Sequence, residues 1–197
     1  MSIRGDALPS TASGAPSARR TTTLPALGPL RARTATSAGA PPATLAAMSD
    51  VRMIDVGAKP VSDRRAVARA RVTVADDVLA RLEAGTMPKG DVVATARVAG
   101  IMAAKSTPQI LPLCHPLNLT HVRVDLVVDR AAGCVRVEAE TATSAQTGVE
   151  MEALCAAAAA ALCVHDMCKG LDPALVIDDL CVVEKAGGKS GDWRRPA

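Results

Sequence analysis

The stretch RAVARARVTV, residues 65–74, places an apolar residue at every even-numbered position and mostly arginine or threonine at the odd ones. Alternation with a period of two is typical of a β-strand that buries one face and exposes the other. The preceding MIDVG, residues 53–57, predicts a second extended segment. Ordered structure is therefore expected to begin near residue 53.

Two helices and a loop are predicted after this strand. The segment at residues 75–85 has acids in its first turn and a glycine at its end, the polarity of a short helix. Residues 91–106 have the apolar spacing of a second helix despite Gly100. Three prolines in TPQILPLCHP, residues 107–116, predict a loop without regular structure.

The second half of the chain predicts three more strands and a long helix. Residues 119–129 and 134–143 predict two strands joined as a hairpin through RAAG, followed by an alanine-rich helix over about 148–168 and a last strand at 176–185. The order β-α-β-β-α-β predicts an α+β, ferredoxin-like subunit with a split β-α-β plan. Its antiparallel sheet should carry the helices on one face.

Composition excludes several classes of function. Only Trp193 is aromatic, so stacking of bases is nearly excluded, and the core must be aliphatic. The net charge is +3, but residues 1–47 hold five arginines and one acid, which leaves the remainder at about −1. The longest apolar run, residues 153–164, is shorter than the ~20 residues of a membrane helix. We therefore expect no nucleic-acid or membrane partner.

Residues 1–50 predict a disordered tail, and residues 51–195 a single domain. The tail is rich in Ala, Ser, Thr, Pro, Gly and Arg and has no hydrophobic periodicity. It could instead be an organelle transit peptide, or the product of a start upstream of Met48. The expected location is the cytoplasm, with the mitochondrial matrix as the alternative. The six cysteines are interpreted as reduced, buried thiols.

Lysine is rare and unevenly placed. Of 23 basic residues only six are lysine, and all six lie in loops or at the ends of predicted elements. An ammonium group binds phosphate oxygens or transfers a proton after desolvation, so these positions predict anion binding or acid–base chemistry. Solvated loop charges are the plain alternative for any one of them.

Carboxylates mark both ends of the long helix. Glu150 and Glu152 begin it, whereas Asp166 and Lys169 lie three residues apart on one face near its end. Such acids can be helix-capping or surface groups, but a carboxylate beside a lysine is also a general acid–base pair. The ends should be roughly 25 to 30 Å apart, so they can share a site only across an interface.

Three other kinds of site have weaker support in the sequence. His115 lies in the proline-stiffened loop as a candidate proton carrier or anion ligand, or as a structural histidine. Zinc binding by the Cys and His residues at 114, 115, 163, 165 and 168 is disfavoured, because no CxxC is present and the helical positions diverge. A P-loop at GKS, residues 188–190, lacks its first glycine and its helix.

Several long motifs together resemble one family, the cyclic pyranopterin monophosphate synthases, protein C of molybdenum cofactor biosynthesis. The resemblance runs from about residue 53 to residue 193. It rests on MIDVGAKP, PKGDVVATARVAGIMAAK, ILPLCHPL, TGVEMEAL, HDMCKG and EKAGGKSGDW, in that order. It implies a lyase that rearranges 3′,8-cyclo-7,8-dihydro-GTP to cyclic pyranopterin monophosphate and releases pyrophosphate. It also implies a ferredoxin-like homohexamer, a trimer of dimers with active sites at the dimer interface.

The resemblance also implies roles for individual residues. Asp166, Lys169 and Lys89 would be catalytic, with Lys169 as the principal acid–base group. The substrate-binding positions would be His115, Glu150, Met151, Glu152, Lys59, Arg64, Lys105 and Lys185. No metal ligand and no required cofactor is implied, although magnesium could assist the pyrophosphate leaving group.

Two departures and two rival functions accompany this expectation. His165 stands where many relatives carry an aromatic or aliphatic residue, and the tail exceeds the usual N-terminus. The chain could instead be a non-catalytic ferredoxin-like module that binds a nucleotide or another polyanion. A scaffold role would predict no nucleotide affinity.

Overall fold

The structure is a computed structural model that describes residues 51–196, so the predicted tail at 1–50 lies outside the described residues. Five strands and four helices occur in this part of the chain. The strands are β1 (Ser62–Thr73), β2 (His121–Asp129), β3 (Cys134–Ala145), β4 (Val176–Ala186) and β5 (Trp193–Arg194). The helices are α1 (Asp76–Ala84), α2 (Val92–Lys105), α3 (Thr107–Ile110) and α4 (Glu150–Cys168).

The strands form one antiparallel sheet in the order β2-β3-β1-β4-β5. β1 lies between β3 and β4, and β2 and β3 are joined as a hairpin through residues 130–133. The first four strands thus have the order of the split β-α-β plan. The predicted α+β, ferredoxin-like fold is confirmed.

The core lies between the sheet and α4. On β1 the even-numbered side chains from Ala66 to Val72 are buried, and α4 packs against β1, β3 and β4. The buried side chains of α4 are mostly alanines, at positions 153, 156, 157, 160 and 161. Small residues on both surfaces let the helix approach the sheet closely, which offsets the lack of large aromatic side chains in the core.

The opposite face of the sheet is charged. Arg65 makes a two-point contact with Glu140 at 2.8 and 2.9 Å, and Arg71 makes a similar one with Asp178, with both distances 2.8 Å. These odd-numbered arginines point away from the alanines because successive strand residues point to opposite faces. The helices α2 and α4 therefore lie on the other face, as predicted.

α2 and α4 pack side by side in opposite directions. Lys89, just before α2, contacts Asp166 near the end of α4, whereas Gly100 lies against Ala156 in the middle. A Cβ atom on Gly100 would lie 2.9 Å from the Ala156 carbonyl oxygen, so only glycine permits this approach. The end of α2 and the start of α4 are consequently on the same side of the molecule.

Three predictions about local structure are wrong. MIDVG, residues 53–57, forms no strand, and its end turns back through a bond from Lys59 N–H to the Val56 carbonyl at 2.9 Å. The proline-rich segment contains the short helix α3, because Pro108 lies in its first turn, where no amide donor is needed. The six cysteines are free, in agreement with reduced thiols, but the expectation that they are buried is wrong for four of them: only Cys134 and Cys168 are buried.

α4 is long and apolar enough by composition to cross a membrane. A core helix of a globular domain passes the same test, and one face of α4 packs on the sheet. The apolar composition of α4 is therefore explained by its packing in the hydrophobic core. The helix begins at Glu150, two residues later than the sequence predicts.

Candidate active site

A cleft of about 820 Å³ opens where β1, β4 and the start of α4 meet. Its walls come from three segments that are distant in the sequence: the start of β1, the turn before α4, and the segment that follows β4. The start of α4 is fixed to the sheet by the buried Thr141 hydroxyl on β3, which donates to the Val149 carbonyl at 3.0 Å. This bond holds the first turn of α4 at the edge of the cleft.

Basic side chains dominate the cleft. Four cations besides Arg65 line it, namely Lys59, Arg64, Lys185 and Lys189, and the carboxylate among its lining residues is that of Glu150. Glu150 Oε1 lies 3.3 Å from Lys185 Nζ, so one of these charges is partly balanced. The remaining positive charge suits a ligand with several negative charges.

The guanidinium of Arg64 lies under the segment after β4. Its Nη2 atom donates to the Gln146 backbone carbonyl at 3.4 Å. A Cβ atom on Gly188 would overlap Arg64 Nη1 and lie 2.6 Å from Cζ, and Gly188 has a φ of +77°. Gly188 therefore both permits the turn and leaves room for the arginine. Sequence reasoning missed Gln146 and Gly188, whose contacts with Arg64 depend on the tertiary fold.

The first turn of α4 carries two glutamates in different environments. Glu150 is half-buried in the cleft, whereas Glu152 is only 3% exposed. Burial is the main cause that raises the pKa of Glu152, and the nearby charge of Glu150 raises it further. The exposed Met151 lies between them in the sequence.

His115 and Lys105 lie on this same side of the molecule. The short helix α3, which precedes His115 in the same loop, packs against α4. Burial, followed by the negative charge of Glu152, raises the pKa of the Cys114 thiol beside His115. Lys105 ends α2 and is exposed. Seven of the eight predicted binding residues thus belong to α4's first turn, the cleft or the adjoining loop, and Lys105 is on the same side.

The three residues predicted to be catalytic form a second cluster at the other end of α4. Lys89 Nζ donates to Oδ2 of Asp166 at 2.9 Å and to its backbone carbonyl at 2.8 Å. Lys169 Nζ lies 2.8 Å from Oδ1 of the same carboxylate. Hydrogen bonds from Lys169 first, and then from Lys89, lower the pKa of Asp166 to about 2. The carboxylate is therefore ionised at neutral pH and holds two ammonium groups together.

The two groups of residues do not meet within one chain. Glu150 and Asp166 are separated by 16 residues of continuous helix, which corresponds to about 24 Å at the rise of an α-helix. Because α4 is unbroken over this range, the two groups are held apart, as the sequence predicts. The cationic cleft therefore lies at the start of α4. The group formed by Lys89, Asp166 and Lys169, here called the lysine cluster, lies at its end.

No group of three or more His, Cys, Asp or Glu side chains that could hold a metal ion occurs in residues 51–196. The cysteines at 163 and 168 are not joined to His165 in such a group; instead Cys163 Sγ lies 3.9 Å from Met167 Sδ. The lysine cluster contains only one carboxylate. Its two ammonium groups carry positive charge and do not bind a cation.

Comparison with known proteins gives consistent matches. A model of the MoaC family matches residues 53–188, a range that contains the lysine cluster and all of the cleft except Lys189 and Ser190. A protein of Chloroflexus aurantiacus named cyclic pyranopterin monophosphate synthase is 51% identical over 152 residues, which covers 77% of this chain and 93% of that protein. Proteins of the same name from Roseiflexus sp. and Thermomicrobium roseum are 56% and 53% identical, covering 72% and 73% of this chain and 90% and 87% of theirs.

Proposed function

This chain belongs to the MoaC family, and on that premise we propose that it is a cyclic pyranopterin monophosphate synthase of molybdenum cofactor biosynthesis. Similar proteins carry this name. The reaction converts 3′,8-cyclo-7,8-dihydro-GTP to cyclic pyranopterin monophosphate and releases pyrophosphate, which makes the enzyme a phosphorus–oxygen lyase.

The observation that carries this proposal is that a cationic cleft lies at one end of α4 and the lysine cluster lies at the other. A triphosphate ester presents several negative charges, which the ammonium and guanidinium groups of the cleft can neutralise. Lys185 and Arg64 are placed at the cleft wall by β4 and β1. We assign them, together with Lys59, to the phosphates of the substrate.

The lysine cluster supplies the acid–base chemistry. Asp166 accepts hydrogen bonds from both ammonium groups and so holds Lys89 and Lys169 in fixed positions relative to one another. In the proposed sequence Lys169 moves protons while the purine ring opens and the pterin ring closes. A ribose hydroxyl then attacks the α-phosphate, loses its proton to a base, and displaces pyrophosphate, whose charge the cleft cations stabilise.

A second copy of the chain completes the site in this proposal. Met151, Leu162 and Lys169 lie within about 20° of one another around α4, at 100° per residue. Met151 is 39% exposed and Leu162 is 62% exposed, so this apolar stripe has no partner in the described chain. Two copies packed through antiparallel α4 helices would place the lysine cluster of one beside the Glu150 end of the other. Three such dimers would give the homohexamer that the resemblance implies.

Cofactor and location follow from the same proposal. No resident cofactor is assigned, and magnesium would arrive bound to the polyphosphate, where it would offset negative charge. The three named relatives come from bacteria. That origin supports the cytoplasm over the mitochondrial matrix.

The test is turnover of 3′,8-cyclo-7,8-dihydro-GTP by the wild-type protein and by Lys169→Ala. Pyrophosphate and the oxidised, fluorescent pterin are measured, and substrate binding is measured separately. We expect product from the wild type, and none from the variant although it still binds substrate. Binding without turnover by the wild type would instead support the non-catalytic polyanion-binding module.

A further inference from the structure

Two buried polar atoms lack hydrogen-bond partners, and both belong to the wall of the cationic cleft. They are Ser62 Oγ and Arg64 Nε, and within residues 51–196 no other buried side-chain nitrogen or oxygen is left unpaired. Ser62 and Arg64 both line the cleft, as does the neighbouring Gln146. The two unpaired atoms are therefore concentrated in one place.

An unpaired buried donor is unfavourable, because it loses its hydrogen bonds to water and gains none in return. Folded proteins therefore keep few of them, and those that remain often mark a place where a ligand supplies the missing partner. A guanidinium N–H can only donate, whereas a serine hydroxyl can donate or accept. The missing partner is thus a group with acceptor oxygens.

We propose that Ser62 and Arg64 form an oxyanion subsite that binds a phosphate oxygen of the substrate. The two residues are separated by one position in β1, so their side chains leave the strand on the same side. Lys185 and Lys59 line the same cleft and add positive charge. This subsite rests on the proposed function, and it assigns Ser62 a direct contact with the polyphosphate.

Two glycines of the segment after β4 cover the subsite. Gly188 lies over the Arg64 guanidinium, and Gly187 lies so close to the Asp63 backbone that a Cβ atom there would overlap its carbonyl oxygen. Both glycines have positive φ, +88° for Gly187 and +77° for Gly188. Since glycine changes backbone conformation more readily than other residues, this segment can lift and let an oxyanion reach both donors.

The experiment compares Ser62→Ala with Ser144→Ala. Ser144 lies on the neighbouring strand β3, opposite Asp63, and its side chain is exposed outside the cleft. Binding of inorganic pyrophosphate is measured by titration calorimetry, and thermal unfolding is followed with and without pyrophosphate. We expect Ser62→Ala to weaken binding by roughly tenfold, the loss expected for one hydrogen bond to a charged group. Ser144→Ala should bind as the wild type does.

Thermal unfolding separates a ligand contact from a structural role. Removal of an unpaired buried hydroxyl should leave the Tm of the ligand-free protein unchanged or slightly higher, while the stabilisation by pyrophosphate becomes smaller. A clear fall in the ligand-free Tm of Ser62→Ala, relative to Ser144→Ala, would mean that the hydroxyl stabilises the fold and would overturn the proposal.

The remaining outcomes distinguish this inference from the proposed function. If the wild type forms product but Ser62→Ala binds pyrophosphate as tightly as the wild type, the subsite is wrong and the synthase assignment stands. Product formation without measurable pyrophosphate binding has the same meaning. If the wild type binds pyrophosphate through Ser62 but forms no product, the subsite stands and the enzyme assignment fails.

Discussion

Substitution of Gly188 by alanine should impair catalysis through Arg64, without touching the lysine cluster. The added Cβ would lie 2.6 Å from Arg64 Cζ, and real Cβ atoms essentially never approach other heavy atoms to less than 3.0 Å. The guanidinium must therefore move. A displacement on the order of 1 Å in a group that positions substrate can reduce the rate by about 100-fold. We expect kcat/KM to fall by that order.

Backbone strain contributes to the same substitution and requires a control. Alanine at a positive φ costs about 1–2 kcal/mol of stability because its Cβ crowds the following carbonyl. Gly191 has a φ of +65°, and a Cβ atom there would meet no other atom within 4 Å. Gly191→Ala therefore carries the strain without the collision.

The assay is steady-state turnover of 3′,8-cyclo-7,8-dihydro-GTP by both variants, with free energies of unfolding measured in urea. Both variants should lose similar stability, but only Gly188→Ala should lose most of its kcat/KM. Equal losses of kcat/KM in the two variants would refute the argument, since strain alone would then explain the defect. Wild-type kcat/KM in Gly188→Ala would refute the assignment of Arg64 to the substrate.

Further predictions concern the lysine cluster and the helix layer. Asp166→Asn should lower kcat by at least about 100-fold, because Lys89 and Lys169 lose the carboxylate that positions them for proton transfer. The same two groups hold the pKa of Asp166 at about 2, below its ordinary 3.8. Its ionised form should therefore stabilise the fold above about pH 4. We expect the wild type to have a larger free energy of unfolding in urea than Asp166→Asn at such pH values, and this difference should vanish as the pH falls through about 2. Gly100→Ala should destabilise the protein by about 1–3 kcal/mol in urea unfolding, because its Cβ would lie 2.9 Å from the Ala156 carbonyl oxygen, which belongs to the backbone and cannot give way. A stabilised Gly100→Ala would contradict that packing, since helix propensity alone favours alanine by about 1 kcal/mol.

The regular elements could be predicted because their signals are local. The alternation in β1 and the glycine that ends the β2–β3 turn, Gly133 with a φ of +65°, are properties of neighbouring residues. The strand predicted at MIDVG does not form, because a strand also needs a partner and no other segment of the described chain pairs with these residues. The loop predicted around Pro108 contains a short helix instead. A proline prevents a helix when it stands in the helix interior, but it is compatible with the first turn, and the local sequence does not say which position it will occupy.

The site could be predicted only in part from the sequence. The pairing of Asp166 with Lys169 follows from their spacing on one helix, but Lys89 is 77 residues from Asp166 and nothing local connects them. Arg64 and Gln146, 82 residues apart, meet only because β1 and β3 are neighbours. Ser62 has no sequence signal at all, because the property that marks it is the absence of a hydrogen-bond partner in the folded chain.

The central claim is that one active site draws its cleft from one copy of the chain and its lysine cluster from another. Arg64→Ala and Lys169→Ala subunits, each expected to be inactive alone, should be unfolded together, refolded as a mixture, and assayed for pyrophosphate release. In a two-fold symmetric dimer each mixed pair has one intact site, so random pairing should restore about a quarter of wild-type activity. A mixture that stays inactive, although mixed dimers are shown to form, would contradict the shared site.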